Sequence, residues 1–257
     1  MPMLSVVLTT HNEEKNIARC LTAVSDIADE IIVVDGESSD ETVKITKSFK
    51  ATVFVTTNKA NFHINKQIAM DKAQGDLVLQ LDADEVVDQE LKSFIKKIKS
   101  ESTHQDSAWW ISRKNYFLGK FLTKGGQYPD RVIRLYVNGQ ARLPQRDVHE
   151  QMQVDGTVGL ASGHLVHYAN PTFADYLRKF NTYTSFKAGQ LQEQKLKVTL
   201  FNSLNYLLWK PLVTWFSLFI RHKGFVDGTP GFVFALFSGL HHAIAYLKLW
   251  EIYETKK

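Results

Sequence analysis

Cysteine is nearly absent. Among 257 residues there is one, Cys20, so no intrachain disulfide can form and no thiolate-built metal site is available. Two glycine signatures are missing as well. No Gly-x-Gly-x-x-Gly follows the first apolar run, which argues against a dinucleotide-dependent dehydrogenase, and no Gly-x-x-x-x-Gly-Lys-Ser/Thr occurs, which excludes a P-loop enzyme. Met1 to Thr10 carry no basic stretch and no cleavage site, so no signal peptide is expected. A strong charge excess is also lacking: 31 Lys and Arg against 27 Asp and Glu leave +4, too mild to argue for nucleic acid as a partner. There is no internal repeat and no low-complexity linker. What remains, 44% hydrophobic and 23% charged residues, is the composition of a folded chain able to bury a core without disulfides or a structural metal.

The first hundred residues alternate between two periods. Leu4 to Thr10, Glu30 to Asp35, Ala51 to Val55 and Asp76 to Asp82 read as strands, the first two being apolar runs that suit a sheet covered on both faces. Between and after them, Glu14 to Val24, Asp40 to Phe49 (with Ser39 as a cap), Asn65 to Ala73 and Gln89 to Lys99 have helical spacing. This alternation predicts a parallel α/β sheet with right-handed crossovers. From about Ala108 to Tyr168 the chain turns β-rich, with strands over Ala108 to Arg113, Arg131 to Val137 and Leu160 to His167, separated by turn signals at Gly125-Gly126, Asn138-Gly139 and Asp155-Gly156. A mixed extension of the first sheet is expected there, then a helix over Asn170 to Gln194.

The tail from Val198 differs again. Thirteen of the 30 aromatics lie between Phe201 and Tyr253. Phe201, Leu204, Leu208, Leu212, Trp215 and Phe219 recur at three- and four-residue steps, with Asn202, Ser203, Lys210, Ser217 and Arg221 on the other side. That pattern predicts an amphipathic helix bent at Pro211. A second apolar stretch runs from Phe232 to Leu249. Residues 198–257 hold six Lys/Arg and three Asp/Glu, so most of the net charge belongs to the tail. Lys210 and Pro211 interrupt any membrane span, so helices lying in the interface are expected, with Trp209, Trp215 and Trp250 at headgroup level. Packing on the rest of the chain or dimerisation is the alternative.

Open parallel sheets bind ligands at the carboxyl ends of their strands. Three polar clusters fall there: Thr9 to Glu14, Asp35 to Asp40, and Asp82-Ala83-Asp84-Glu85. Gathered carboxylates repel unless a cation unites them. Asp82-x-Asp84 supplies hard oxygen ligands that suit Mg²⁺ or Mn²⁺, with the remaining positions left to water and a diphosphate; a solvated acidic turn is the plainer reading. Trp109 and Trp110 are candidates for stacking on a ligand ring, although one of an adjacent pair on a strand is expected to face the core. His164 and His167 sit at an odd spacing on a strand, so they point to opposite faces and are not expected to share a ligand. His241-His242 reads as packing, and Cys20 as inert.

Ser5-Val6-Val7-Leu8-Thr9-Thr10-His11-Asn12-Glu13, then Ile32-Val33-Val34-Asp35-Gly36-x-Ser38-x-Asp40, then Leu79-x-Leu81-Asp82-Ala83-Asp84-Glu85 resembles the nucleotide-diphospho-sugar transferase (GT-A) fold of family 2 glycosyltransferases. Tyr128-Pro129-Asp130-Arg131-x-x-Arg134-Leu135, Val148-His149-Glu150 and Lys223-Gly224-Phe225-x-Asp227-Gly228-x-x-Gly231 extend the resemblance to bacterial lipopolysaccharide core glycosyltransferases of the WaaE type. It implies an α/β fold: a Rossmann-like mixed sheet flanked by helices over residues 1–197, with a nucleotide-binding half (1–100) and an acceptor half (101–197). An amphipathic helical appendage over 198–257 follows.

The resemblance also implies roles. Thr9, Asn12 and Glu13 line the nucleoside pocket, Asp35 binds uracil or ribose, and Lys66 stands near the nucleotide, although Asn65-Lys66-Gln67 departs from the usual Arg-Asn pair. Asp82 touches ribose or sugar and Asp84 holds Mg²⁺ or Mn²⁺, with Asp82 as a second candidate ligand and His167, a late histidine of the kind some GT-A enzymes use, as a candidate to reach the same ion. Glu150 is the first candidate for the catalytic base, then Asp147, then Glu85, with His149 as an orienting or ion-pairing neighbour. Arg134 holds a phosphate, or forms an ion pair with Asp130 or Asp147. The implied activity is inverting transfer of a sugar from a nucleotide diphosphate, a UDP-sugar, to a lipid-linked saccharide, that of the inner lipopolysaccharide core. Its place is the cytoplasmic face of the inner membrane, where nucleotide sugars are available, and an oligomer is possible. A transferase acting on polyprenyl phosphate and a sugar nucleotidyltransferase are the alternatives. The latter would need a basic, glycine-rich triphosphate loop, which Thr9 to Glu14 lacks.

Overall fold

The computed structural model describes residues 2–59, 61–101, 103–144 and 151–255. It comprises two compact units, residues 1–113 with 130–167, and residues 114–129 with 168–257.

The first unit is built on strands that are apolar nearly throughout. Leu4–Thr10 (β1), Glu30–Asp35 (β2), Thr52–Val55 (β3) and Leu77–Asp82 (β4) run parallel, with β1 between β2 and β4. Later in the chain come Glu85–Val87 (β5), Ala108–Phe117 (β6), Lys120–Phe121 (β7), Asp130–Val137 (β8), Ala141–Arg142 (β9), Gln153–Val154 (β10) and Val158–Asn170 (β11). The sheet order is β3-β2-β1-β4-β8-β6-β11-β5, with β7 beside β6 and β9 paired to β10 separately. β8 is antiparallel to β4, which makes the sheet mixed, as expected.

Alternation along the strands sends side chains to two layers. Leu4, Val6 and Leu8 meet Ile17, Cys20, Leu21 and Val24 of Ile17–Val24 (α1). Val7 points the other way, toward Ala69 and Met70 of a helix described below. The adjacent tryptophans divide in the same manner. Trp109 is buried with the first cluster, so one of the pair faces the core as expected, and Trp110 packs half-buried on the second, with a register shift between them.

Helix starts follow local capping. Asn61 accepts the His63 amide and opens Phe62–Asp71 (α3) three residues before the periodicity suggests; Thr42–Ser48 (α2) precedes it. Ser39 does not cap α2: its amide donates to Asn12 Oδ1 at 2.8 Å, and the helix begins at Thr42. Asp88 caps Gln89–Ser100 (α4) through the Leu91 amide. Its carboxylate also accepts the His164 amide at 3.0 Å and faces His164 Nδ1 at 3.1 Å. β11 therefore passes close over the start of α4, and Gly163 makes that approach feasible. Its φ is +84°, and a Cβ there would lie 2.1 Å from the Leu91 nitrogen. The short strand β5, which the sequence pattern did not reveal, then pairs with β11 in the register that sets His167 opposite Glu85.

The second unit is largely helical. Thr172 caps Phe173–Glu193 (α5), and Thr199 caps a long helix made of Leu200–Leu204 (α6), a π-turn over Asn205–Trp209, Lys210–Phe216 (α7) and a second π-turn over Ser217–Arg221. A 3₁₀ turn at Gly224–Asp227 leads into Gly228–Glu254 (α8). α8 packs on α5 through Ala188, Leu191, Ala245, Tyr246 and Leu249. Its small residues Gly231, Ala235, Gly239 and Ala243 are buried at four-residue steps, and a Cβ on Gly239 would lie 2.6 Å from the Pro211 carbonyl oxygen. The Asp227 carboxylate is buried and accepts the Thr123 amide (3.1 Å), the Thr123 hydroxyl (2.8 Å) and the Lys124 amide (2.8 Å). The Lys223-to-Gly231 signature is thus a structural junction. The composition boundary at 197/198 falls inside this unit, because α5 and α8 share one core.

Replacing Gly163 by alanine is expected to cost at least about 2 kcal/mol, since a side chain at positive φ is strained even before the clash with α4. Thermal unfolding should show a midpoint lower by several degrees; an unchanged midpoint would contradict the close approach of β11.

Candidate active site

The parallel register brings the polar strand ends to one edge. Thr9 is opposite Asp82, and Thr10 is opposite Asp35. Asp35 is fully buried and already busy: it accepts the Thr10 hydroxyl (2.8 Å), the Ser38 amide (2.8 Å) and the Ser38 hydroxyl (2.6 Å). The loops after β1 and β2 are stitched together. The Asn12 amide donates to Ser38 Oγ, the Glu13 amide to Thr42 Oγ1 and the Glu14 amide to Asp40 Oδ2. His11 Nδ1 lies 2.7 Å from the Gly36 carbonyl, so that nitrogen carries the proton. Asn12 and Glu37 adopt left-handed backbone conformations (φ 56° and 59°) at the crossing. Asn12, Glu13 and Asp35 thus come together as one pre-shaped polar rim, with much of their bonding capacity spent on its shape.

At the end of β4 the charges concentrate. One Asp82 oxygen meets Lys66 Nζ at 2.5 Å and the other meets Arg134 at 2.6 Å. Arg134 also bonds Gln80 and lies 3.4 Å from Glu85. Glu85 has no exposed surface; it accepts the Asp82 amide at 3.0 Å and sits 3.5 Å from Arg113. Arg113 in turn forks onto Asp130 at 3.0 and 2.7 Å. Burial alone would raise the Asp82 carboxyl, but the Arg134 and Lys66 charges outweigh it and hold it well below the ordinary range. A 290 Å³ cavity opens beside this cluster, lined by Lys66, Asp82, Arg113, Arg134, Phe62, His63 and Gln151, and by apolar Val132, Ile133, Leu143 and Met152.

Two residues further on, Asp84 Oδ1 lies 3.5 Å from His167 Nε2. Burial disfavours the imidazolium, yet the bond to Asp84 and the Asp84 and Glu85 charges raise the His167 pKa. Among the described residues no three His, Cys, Asp or Glu side chains gather as a metal cage. A carboxylate and an imidazole this close nevertheless fit neighbouring positions on one hard divalent ion, the others being left to water and phosphate. Asp82 fits that role less well, since each of its oxygens already meets a cation.

The sequence expectations divide accordingly. Lys66, Asp82 and Arg134 are in contact, and Thr9 is beside them in the register. Arg134 pairs with Asp82 and Glu85, whereas Asp130 belongs to Arg113. Glu85, the third candidate base, is fully buried and held by Arg113 and Arg134. His164 and His167 part, one to Asp88 and one to Asp84. Cys20 is buried, its thiol pushed up by burial and then by the Glu85, Asp84 and Asp82 charges, which fits an inert role. Asp147, His149 and Glu150 lie outside the described residues. Arg113 and Gln80 were missed. Gln80 is the lone polar residue inside the β4 run, a signal in itself, whereas Arg113 shows its role only through its register opposite Asp130.

Comparison with known proteins places this geometry in context. The family model described as "Glycosyl transferase family 2" matches residues 5–152. An uncharacterized glycosyltransferase of Rickettsia typhi is 32% identical, over 98% of this chain and 88% of its own length. Lipopolysaccharide core biosynthesis glycosyltransferase LpsC of Rhizobium meliloti is 24% identical, over 98% of this chain and 94% of its own length. Among solved structures, S. aureus TarS 1-349 in complex with UDP is 15% identical, covers 99% of this chain and 92% of its own, and superposes with a TM-score of 0.46.

Asp82→Ala should destabilise the chain by about 3–5 kcal/mol, because the buried Lys66 would lose its carboxylate and Arg134 would keep only Gln80 and Glu85. A denaturation cycle with Lys66→Met should return a coupling of roughly 1–3 kcal/mol; strict additivity would rule the clamp out. With its carboxyl held down, Asp82 contributes this stability fully above about pH 4, and it should fade only as the pH falls through strong acid.

Proposed function

This chain belongs to glycosyl transferase family 2, and on that premise we propose that it is a divalent-metal-dependent, inverting transferase. It moves a sugar from a nucleotide diphosphate, a UDP-sugar, to a lipid-linked saccharide of the inner lipopolysaccharide core, at the cytoplasmic face of the inner membrane. The observation that carries this reading is the division of labour after β4. Asp82 is clamped by two cations beside a polar cavity, while Asp84 faces His167. The acceptor class draws support from LpsC, a relative over nearly its full length whose name places it in lipopolysaccharide core biosynthesis. The long apolar helix Gly224–Glu254 is compatible with work at a membrane.

In this reading the rim formed by Thr9, Asn12, Glu13 and Asp35 receives the nucleoside. Asp84, with His167 beside it, would hold Mg²⁺ or Mn²⁺, whose chemistry is to neutralise the charge growing on the departing diphosphate. Lys66 and Arg134 fix the Asp82 carboxylate so that it meets the ribose or donor sugar in one orientation. Such preorganisation avoids reorienting charge during the reaction. Arg134 spends two of its nitrogens on Gln80, Asp82 and Glu85, so its role is to orient the carboxylates and not to clamp a phosphate. Inversion requires a base on the acceptor side that takes the hydroxyl proton as the oxygen attacks the anomeric carbon. Glu150 is assigned that role, with Asp147 as the second choice and His149 as the orienting neighbour.

Transfer assayed over a panel of nucleotide sugars, with and without Mn²⁺, tests the reading. Asp84→Asn is expected to lower transfer roughly a thousandfold while leaving thermal unfolding in place. Glu150→Gln should lower turnover by about 10²–10⁴-fold with donor binding retained. Near wild-type transfer by Asp84→Asn would overturn the metal assignment. A full effect in Asp147→Asn with none in Glu150→Gln would exchange the two carboxylates.

A further inference from the structure

The helix over residues 200–221 carries a counting anomaly. Leu200, Leu204, Leu208, Leu212, Phe216 and Ile220 recur at strict four-residue steps, and all six are exposed, from 41% to 78%. On an unbroken α-helix a four-residue step overshoots one turn by about 40°, so five steps drift by about 200°. Leu200 and Ile220 would then face opposite sides. Two π-turns remove the drift. The Lys210 amide bonds the Asn205 carbonyl and the His222 amide bonds the Ser217 carbonyl, each five residues back. Each such turn takes up one extra residue, about 100° of rotation, and the two together cancel about 200°. The six side chains form one straight apolar ridge.

Ser203 and Thr214 of the same helix are turned inward to α8, and Lys210 lies along a ring of its own helix. Ser203 Oγ is 3.1 Å from the Tyr246 hydroxyl, Thr214 Oγ1 is 3.2 Å from His242 Nε2, and Lys210 Nζ lies 3.6 Å from the centre of the Tyr206 ring. Apolar groups outside and polar groups between helices is the reverse of the arrangement that water favours. The charge pattern matches an anionic partner. Residues 194–226 contain five Lys/Arg and no Asp/Glu, and exposed Lys195, Lys197, Arg221 and Lys223 bracket the ridge at both ends.

The geometry points to this ridge as the surface that enters the headgroup region of a bilayer rich in anionic lipid, with the helix lying flat. This rests on the membrane reading above and gives it a named face and a lipid class. A crossing is not what the second unit is built for. α8 is long and apolar enough by composition, but its Lys248 donates to Asn181, Thr184 and Ser185 of α5, a helix that carries Asp175, Arg178, Lys179, Lys187 and Glu193. These charged groups share α5 with exposed Phe173, Leu177, Tyr183 and Phe186, so the bundle carries polar and apolar surface together, as an interfacial anchor does.

The test uses the full chain and vesicles of phosphatidylcholine alone, or with about a third phosphatidylglycerol. Wild type is expected to sediment with the anionic vesicles. Leu208→Gln/Leu212→Gln should bind them more than roughly tenfold more weakly with thermal unfolding unchanged, because both leucines are exposed. Lys195→Gln/Lys197→Gln/Arg221→Gln should erase the preference for anionic over neutral vesicles. Equal sedimentation of the leucine variant and wild type overturns the proposal. So does a wild-type dimer that ignores vesicles and falls to monomer in the leucine variant. Donor turnover in detergent is measured in parallel. Its absence in wild type with vesicle binding intact would count against the transferase reading alone.

Discussion

One carboxylate organises the first unit. Asp82 ends a buried strand, and its two oxygens face Lys66 from α3 and Arg134 from β8. Removing such charges from water is costly, and mutual attraction repays it only when the remaining hydrogen bonds are also satisfied. Here they are drawn from Gln80 and Glu85, and Glu85 in turn receives the Asp82 amide and the Arg113 guanidinium. The network is a poor device for raw stability, since apolar residues of similar volume would do as well. Its value lies in position: it fixes one carboxylate at the mouth of a cavity in a single orientation, and it leaves the next acidic residue, Asp84, directed to a different partner.

That second direction depends on backbone, not on charge. His167 reaches Asp84 because β11 is pinned twice, by Asp88 at the start of α4 and by pairing with β5. Both contacts need β11 to run against the α4 amide nitrogens, which only a glycine at 163 allows. A residue with no side chain thus sets the distance between two that have chemistry. Asp227 plays the corresponding part in the second unit, where one buried carboxylate gathers the Thr123 and Lys124 amides.

The strands and helices of the first hundred residues were legible because each run had one dominant period and a cap or an acidic end nearby. β1 and β2 end where the hydropathy does. The rim residues Thr9, Asn12 and Asp35 were legible for the same reason, since polar groups after buried strands have one edge to occupy. Three things were not. β5 has three residues, too few to show a period, yet it carries the register of His167. The partner of Arg134 depends on which antiparallel strand lies beside β4, a long-range fact that no local pattern encodes. The fate of Glu85 follows from it, because an acidic residue after a strand looks like a ligand until two arginines cover it.

The tail shows a different limit. An α-helical period applied to residues 201–219 assigns Trp215 and Phe219 to the outer face, but these two rings stack on one another at 5.3 Å, and Phe219 turns its edge to Phe232 of α8. Phe216 and Ile220 take the outer positions instead. The error is one of accumulated phase. Twenty residues less two extra ones make eighteen, which is five turns of 3.6, so a row with period four is straight only in a helix that has absorbed two residues. Pro211 gives a local reason for the first π-turn, since it has no amide to offer the carbonyl four residues back and crowds it. A strict four-residue apolar row ending in basic residues, with a proline inside it, therefore points to a π-turn upstream of that proline and a flat apolar face, more than to a bend.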